Sequence, residues 1–331
     1  MSRLDASGAQ SAAPSPGDQK PDFDAAWKAS VRALQYKSVK MWMLISLFQW
    51  LARRTQRTRM RIGAVLTIVA PWLIGQRVKI VRRNLDLCLT ELTPTERQII
   101  LRQHLRALVQ SFVDRSVFWF GSTETIRTMI SLTGHEQVPG LIATHGSVML
   151  LAPHFIGLDA AATRLTLQGP EGATMYTPQS HPDIDALVRL GRARFNTVHL
   201  VSRREGIRPL IRYIEQHLPI YYLPDMDFGR KGAVFVPFFG REAATQTATA
   251  QIARKWQLPV LPVVSTWDPA SGHYTVTVHP PLADFPGTDS LESATARLNL
   301  HIESWVRDCP SQYYWVHRRF KTRPIGQAKL Y

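Results

Sequence analysis

Residues 148–161 carry the clearest structural signal in the chain, reading Val148-Met149-Leu150-Leu151-Ala152-Pro153-His154-Phe155-Ile156-Gly157-Leu158-Asp159-Ala160-Ala161. The apolar run predicts a buried strand that ends at Pro153, and the Ala- and Leu-rich residues after it predict a helix. His154 then lies at the carboxyl end of a strand. Ligands collect at this edge of open α/β sheets, so we interpret His154 as a candidate site residue.

Asp159 follows His154 by five residues. If the helix begins near Ile156, the Asp159 carboxylate lies about one turn inside it and reaches one ring nitrogen of His154, fixing the tautomer and stabilising the imidazolium. No G-x-S-x-G elbow occurs, so the pair favours a histidine that deprotonates a substrate hydroxyl, which attacks an activated acyl group. The alternative is a core histidine beside an acid that stabilises a helix N-terminus.

Composition limits the class of protein. The 331 residues, 45% of them apolar, suffice for one large α/β domain, or for a domain with an N-terminal appendage. The net charge of +15 favours an anionic partner: nucleic acid, phospholipid headgroups, a phosphorylated substrate or an acidic carrier protein. Cys88 and Cys309 form no disulfide framework or metal motif, which fits a reducing, cytosol-facing location without a metal.

The N-terminal region divides into two parts. Residues 1–22 are rich in Ser, Ala, Gly and Pro and predict a disordered tail without a secretory signal. Residues 23–84 predict an apolar helical region that associates with a membrane. Its apolar run at 41–52 contains two tryptophans and is followed by Arg53, Arg54, Arg57, Arg59 and Arg61; a second run, 62–75, is broken by Pro71.

Each of these two runs is shorter than the ~20 residues of a spanning helix. Tryptophans beside clustered arginines are typical of elements that lie at the bilayer interface. Two alternatives stay open. One is a buried helical hairpin in a soluble protein, and the other is a first run that extends back through Tyr36 and spans the membrane.

Residues 85–331 predict the α/β domain. A helical stretch at 85–120 contains a helix start at Thr93-Pro94-Thr95-Glu96. Strands are then predicted at 147–152, 173–177, 197–201, 219–223, 233–238, 259–265 and 274–279, and helices at 157–168, 182–194, 205–217, 243–257 and 290–308. This alternation indicates a single, mostly parallel or mixed sheet flanked by helices.

Charged residues punctuate the loops near the predicted strand ends. Arginine forks match phosphate geometry, so three arginines are candidate ligand contacts, although arginines at helix ends are commonly solvated: Arg192, Arg194 and Arg203. A Gly-containing turn holds Asp225 and Asp227, which could hold Mg²⁺, orient an arginine or contact a sugar hydroxyl. Because Arg230 and Lys231 are adjacent, we favour the orienting role.

Aromatic and cationic residues alternate in the C-terminal stretch 312–324. Such a stretch could bind single-stranded nucleic acid or a phosphate-rich surface by stacking and charge. It could equally pack its aromatic rings while its arginines pair internally. A nucleic-acid-binding protein is therefore one hypothesis, against which stands the apolar run flanked by tryptophans.

Several stretches together resemble the bacterial lipid A late acyltransferases (lauroyl and myristoyl transferases) of the lysophospholipid acyltransferase superfamily. The superfamily pattern of a histidine, four residues and an acid is similar to His154–Asp159. Family patterns resemble Arg82–Cys88, Asp227–Gly240 and Trp315–Pro324. The chain departs in carrying Asp159 where some members carry Glu, in its long N-terminal tail, and in having Pro224-Asp225-Met226-Asp227 in place of an F-P-E-G-T-R block.

The resemblance implies transfer of a fatty acyl chain from acyl carrier protein to a hydroxyl of a 3-hydroxyacyl chain on a lipid A precursor. His154 would be the general base and Asp159 its orienter, with no cofactor or metal. Substrate-binding residues would be Arg192, Arg194, Arg203, Asp225, Asp227, Arg230 and Lys231. The expected partners are the carrier protein, the lipid and an anionic membrane surface, not nucleic acid, and the expected location is the cytoplasmic face of the bacterial inner membrane. The alternative is a related membrane acyltransferase acting on another glycolipid or a lysophospholipid.

Overall fold

The N-terminal part of the protein is helical. A computed structural model describes residues 23–331, so the tail predicted at 1–22 lies outside the described residues. The first helices are α1 (Phe23–Gln35), α2 (Val39–Ala52), α3 (Gln56–Leu73), α4 (Gly75–Cys88), α5 (Pro94–Phe120) and α6 (Thr123–Met129). The predicted start of α5 is confirmed, because Thr93 and Glu96 form a capping box around Pro94. The domain division predicted between residues 84 and 85 falls within α4 and stays a prediction.

The strands follow from β1 onward: β1 (Ile130–Thr133), β2 (Met149–Leu151), β3 (Gly172–Tyr176), β4 (Val198–Ser202), β5 (Ile220–Tyr222), β6 (Ala233–Phe238), β7 (Arg241–Gln246), β8 (Val260–Trp267) and β9 (Tyr274–Val278). Seven of them form one sheet in the order β1-β9-β8-β2-β5-β3-β4. Neighbours are parallel except β8 and β9. The predicted parallel-dominated sheet is thereby confirmed.

The prediction of a single sheet was wrong for β6 and β7, which pair as a separate antiparallel hairpin. The residues at 243–246, predicted to begin a helix, are part of β7. The cause is the two-residue turn at Phe239 and Gly240, where both φ angles are positive. Such a turn folds the chain straight back on the preceding strand, so the helix starts only at residue 248.

The remaining helices flank the sheet: α7 (Gln137–His145), α8 (Leu158–Gln168), α9 (Pro182–Arg192), α10 (Arg208–Glu215), α11 (Ala248–Trp256) and α12 (Leu291–Asp308). The connection from β2 to β3 through α8 and the one from β4 to β5 through α10 cross the sheet in opposite directions. Since parallel crossovers are right-handed, α8 and α10 lie on opposite faces. Helix α5 packs on α8, and α2, α3 and α4 pack on α5.

The predicted membrane-associating region carries exposed apolar side chains. Among residues 23–331, no single helix combines the length and hydropathy needed to cross a bilayer; α3 and α4 reach both only as a pair bent by 92°, and α2 is apolar but shorter. Helix α3 continues through Pro71. Trp72 and Leu73 at its end are 89% and 80% exposed. Membrane association stays a prediction.

Candidate active site

His154 is held by its backbone just beyond the end of β2. Its N–H donates to Asp225 Oδ2 at 2.9 Å, and its carbonyl oxygen accepts from the Tyr314 N–H at 2.8 Å. The next residue, Phe155, forms an antiparallel bridge with Tyr313. Two distant segments therefore fix this position, and they leave 15% of the His154 side chain exposed.

The imidazole of His154 pairs with Asp225, which follows β5. Its Nδ1 lies 2.6 Å from Asp225 Oδ1, and the carboxylate is 1% exposed. Burial alone would raise the pKa of Asp225, but the charge of His154 and hydrogen bonds from its ring and backbone outweigh burial and lower the pKa to about 2. An ionised Asp225 keeps the proton on Nδ1, which leaves Nε2 free to accept one.

The expectation that Asp159 orients His154 was therefore wrong, as was the expectation that Asp225 pairs with Arg230 or Lys231. Asp159 instead accepts from Arg115 Nε at 2.6 Å and lies 3.6 Å from Arg192 Nη2. Helix α8 starts at Leu158, one residue after the start of the helix predicted at 157–168, so Asp159 is only its second residue. Burial raises the pKa of Asp159, but the two guanidinium groups together hold it below its ordinary value.

A cavity of about 990 Å³ opens beside His154 and beside the cluster of Asp159 with its two arginines. Its wall includes His154, Asp159, Arg115 and Arg192. Apolar side chains provide most of the rest, among them Phe112, Leu158, Leu165, Met175, Ile207, Met226 and Phe228. The size and the lining suit an extended hydrocarbon chain placed beside a base.

Two further predicted cations, Arg203 and Lys231, also line the cavity and are exposed. The Arg203 guanidinium lies 3.9 Å from the centre of the Phe228 ring. Arg192, Arg203 and Lys231 thus line one cavity, and their role as ligand contacts stays a prediction.

Arg194 and Arg230 are placed elsewhere. Arg194 is buried and donates to the carbonyl oxygens of Gly121 and Phe118, at the C-terminal end of α5. It therefore caps a helix, as cations commonly do there. Arg230 donates to the carbonyl oxygen of Arg323 and covers the Phe235 ring. Neither side chain is part of the cavity wall.

Asp227 was expected to anchor an arginine, and the structure instead shows it fixing the C-terminal segment. Its carboxylate accepts from the N–H of Thr322 at 2.6 Å and from the hydroxyl of Thr322 at 2.7 Å. Its own N–H donates to Nε2 of His317 at 2.9 Å. Burial, with the neighbouring His154 and Arg319, lowers the pKa of His317 to about 4, so this ring stays neutral and can accept.

The aromatic rings of the C-terminal stretch are packed inside the protein. Tyr313, Trp315 and Phe320 are buried, and the buried Arg319 donates to the carbonyl oxygen of Ala244 and to the Thr245 hydroxyl. The internal-packing alternative is confirmed, since stacking on nucleic-acid bases needs exposed rings.

Sequence reasoning missed two residues of the cavity wall. Arg115 lies in the helical stretch predicted at 85–120, to which no site role was assigned. It follows Ser111 and Phe112 at helical spacing, and all three residues line the cavity. Tyr314 also lines it, with its ring centre 6.2 Å from that of His154. The arginine on a largely apolar helix face was an available signal, whereas nothing local marked Tyr314.

Comparison with known proteins identifies the family of this chain. A family model described as bacterial lipid A biosynthesis acyltransferase matches residues 25–322. The chain is 32% identical to a lipid A biosynthesis lauroyltransferase of Escherichia coli over 82% of this chain and 88% of that protein. It is 29% identical to a lipid A biosynthesis myristoyltransferase of the same organism, over 75% of this chain and 76% of the relative. The chain therefore belongs to the bacterial lipid A biosynthesis acyltransferase family, and the protein is an acyltransferase.

Proposed function

We propose that this protein transfers a fatty acyl chain from the thioester of acyl carrier protein to the hydroxyl of a 3-hydroxyacyl chain on a lipid A precursor. The observation that carries the proposal is His154 in the wall of a large, mostly apolar cavity, with its ring paired to the buried Asp225 behind it. The names of the relatives, which specify lauroyl and myristoyl transfer in lipid A biosynthesis, support the choice of substrates.

His154 acts as the general base in this proposal. Its Nε2 takes the proton of the acceptor hydroxyl as the oxygen attacks the thioester carbonyl carbon. The carbon–sulfur bond then breaks, and the departing thiolate takes that proton back from the imidazolium. Asp225 holds the tautomer and stabilises the imidazolium while it exists. A thioester is already activated, so the reaction needs neither a covalent enzyme intermediate nor a cofactor.

Asp159 has a separate task, which is to hold Arg115 and Arg192 at the cavity wall. Two guanidinium groups on one carboxylate leave one net positive charge facing the substrates. Charged donors of this kind stabilise the oxyanion of acyl transfer or bind a phosphate of the acceptor lipid. The backbone N–H groups of Phe155 and Ile156 already donate to Pro153 and Gln312, so the arginines are the better candidates for donors.

The proposal places the enzyme at the cytoplasmic face of the bacterial inner membrane, where the carrier protein and the lipid meet. Exposed apolar side chains on α2 and α3 and the exposed Arg53, Arg54, Arg57 and Arg61 support this location. Such surfaces insert into the headgroup region and bind anionic lipid. Arg59 of the predicted cluster is instead buried beside Asp114.

The test is acyl transfer by the variant His154→Gln, with lipid A precursor and acyl-carrier thioester as substrates and mass spectrometry of the lipid as the readout. Loss of the general base should lower the rate by about 10²- to 10⁴-fold. His135→Gln is the matched control, because His135 also lines the cavity but has no part in the mechanism. A His154→Gln enzyme with the wild-type rate would remove the proposed base. Acylation of a lysophospholipid or another glycolipid in preference to the lipid A precursor would overturn the proposed acceptor.

A further inference from the structure

The turn after β4 and helix α10 present a cluster of exposed arginines. We name it the α10 patch, and it consists of Arg203, Arg204, Arg208 and Arg212. Between residues 23 and 331, no carboxylate lies within ion-pair distance of these four guanidinium groups. The patch is thus positive charge that the fold itself does not neutralise.

The geometry of α10 directs this charge outward. Leu210 and Ile214 are buried against the sheet, whereas Arg208 and Arg212, four residues apart, share the exposed side. The two acids of the segment, Glu205 and Glu215, do not cancel the four cations. Moreover, Glu205 is engaged locally, since its carboxylate accepts the Ser202 N–H in a capping box.

The α10 patch lies at the edge of the cavity. Arg203, Gly206 and Ile207 belong to the cavity wall, and Arg208 begins α10 directly after them. A molecule bound to the patch is therefore placed to deliver a flexible arm into the cavity and toward His154.

The position in the fold separates this patch from the apolar N-terminal surface. The handedness of the crossovers puts α10 on the face of the sheet opposite to α8, and α5 with α2 and α3 packs on the α8 side. If the exposed apolar side chains of α2 and α3 meet the membrane, the α10 patch is directed away from it. Its charge is then available to a soluble anionic partner.

We propose that the α10 patch is the docking surface for an acidic carrier protein that presents its acyl thioester to the cavity. The inference rests on the proposed function, which supplies the carrier-bound donor. Complementary charge steers association and fixes orientation. The donor and the lipid then approach from opposite faces of the sheet and meet at its carboxyl edge, where His154 lies.

The experiment compares two donors for the double variant R208E/R212E of the full chain. One donor is acyl carrier protein loaded with a fatty acyl group, and the other is the same acyl group on pantetheine alone. Charge reversal should raise KM for the carrier-bound donor about tenfold or more and weaken its salt dependence. The kcat for the carrier-bound donor and the rate with acyl-pantetheine should stay unchanged.

The matched control is R102E/R127E, which reverses two exposed arginines on α5 and α6 and should leave both donors unaffected. A thermal melt of each variant checks folding, and R208Q/R212Q repeats the test without introducing acids. If the wild type uses the carrier-bound donor and R208E/R212E has an unchanged KM for it, the docking surface is wrong and the proposed function stands.

Two other outcomes would also overturn the inference. Weaker binding of R208E/R212E to phosphatidylglycerol vesicles, with an unchanged KM for the carrier, would show that the patch contacts lipid. A wild-type enzyme that accepts acyl-pantetheine but never the carrier-bound thioester would show that the proposed donor itself is wrong.

Discussion

Two carboxylates near His154 have different partners and therefore different tasks. Asp225 is buried against the imidazole, whereas Asp159 lies between Arg115 and Arg192. Asp225 sets the tautomer of the base, and Asp159 sets the position of two cations. The two carboxylates differ in their partners because Asp225 follows the end of β5, whereas Asp159 lies in the first turn of α8. Single substitutions test this division of tasks.

We expect Asp225→Asn to lower kcat by about 10³- to 10⁴-fold with little change in KM. The amide can no longer stabilise the imidazolium, and it allows the tautomer that carries its proton on Nε2. The measurement is steady-state acyl transfer, with circular dichroism to check folding. A kcat close to that of the wild type would contradict the role given to Asp225.

Asp159→Asn should act differently, because His154 keeps its partner. Releasing Arg115 and Arg192 should lower kcat/KM by about 10- to 100-fold, mainly through misplacement of charged donors. The pH profile of kcat/KM, which reports the titration of the general base, should be unaltered. A shift of that pH profile would show that Asp159 acts on His154 after all.

At the scale of elements, the contact between α5 and α9 supports the site, because α5 carries Arg115 and α9 ends at Arg192. Gly191 in α9 lies against the indole of Trp119 in α5, where an added Cβ would approach ring atoms to 2.5 Å. The close approach of the two helices therefore depends on the missing side chain.

We expect Gly191→Ala to destabilise the protein by about 1–3 kcal/mol, since overpacking outweighs the better helix propensity of alanine. Denaturant unfolding measures the change. Gly140→Ala in α7 is the control: its added Cβ meets no atom within 4 Å, so it should be neutral or stabilising by up to about 1 kcal/mol. Equal stability of Gly191→Ala and the wild type would show that the contact can relax.

At the scale of the whole molecule, exposed apolar side chains mark the surface that is predicted to contact the membrane. Trp72 and Leu73 protrude at the bend between α3 and α4. On a soluble monomer such side chains remain in water, whereas at a bilayer they become buried and contribute about 1.5–3 kcal/mol each.

The double variant Trp72→Asn with Leu73→Asn should bind anionic vesicles at least tenfold more weakly while its melting temperature stays unchanged, because these side chains add little to the core. Cosedimentation with vesicles measures the binding. Ile325→Asn, which changes an apolar residue that is 91% exposed elsewhere, should have no effect. Undiminished binding by the double variant would exclude this surface as the membrane contact.

The sequence by itself determined the local features of this protein. The parallel-dominated sheet, the capped start of α5 and the position of His154 after β2 follow from hydrophobic periodicity, capping residues and proline, which act over a few residues. The family resemblance rested on the same short stretches. These signals are local, so they can be interpreted without knowing which residues pack against them in the folded protein.

Only the tertiary structure decided which side chains meet. Asp159 is five residues from His154 in sequence but pairs with Arg115 on another helix. The imidazole of His154 instead pairs with Asp225, which is 71 residues away. The hairpin of β6 and β7 and the burial of the C-terminal aromatics were settled in the same way. The physical reason is that hydrogen-bond partners depend on which strand and helix ends converge in space. Residue type and spacing along the chain do not encode the distance between two side chains in the folded protein.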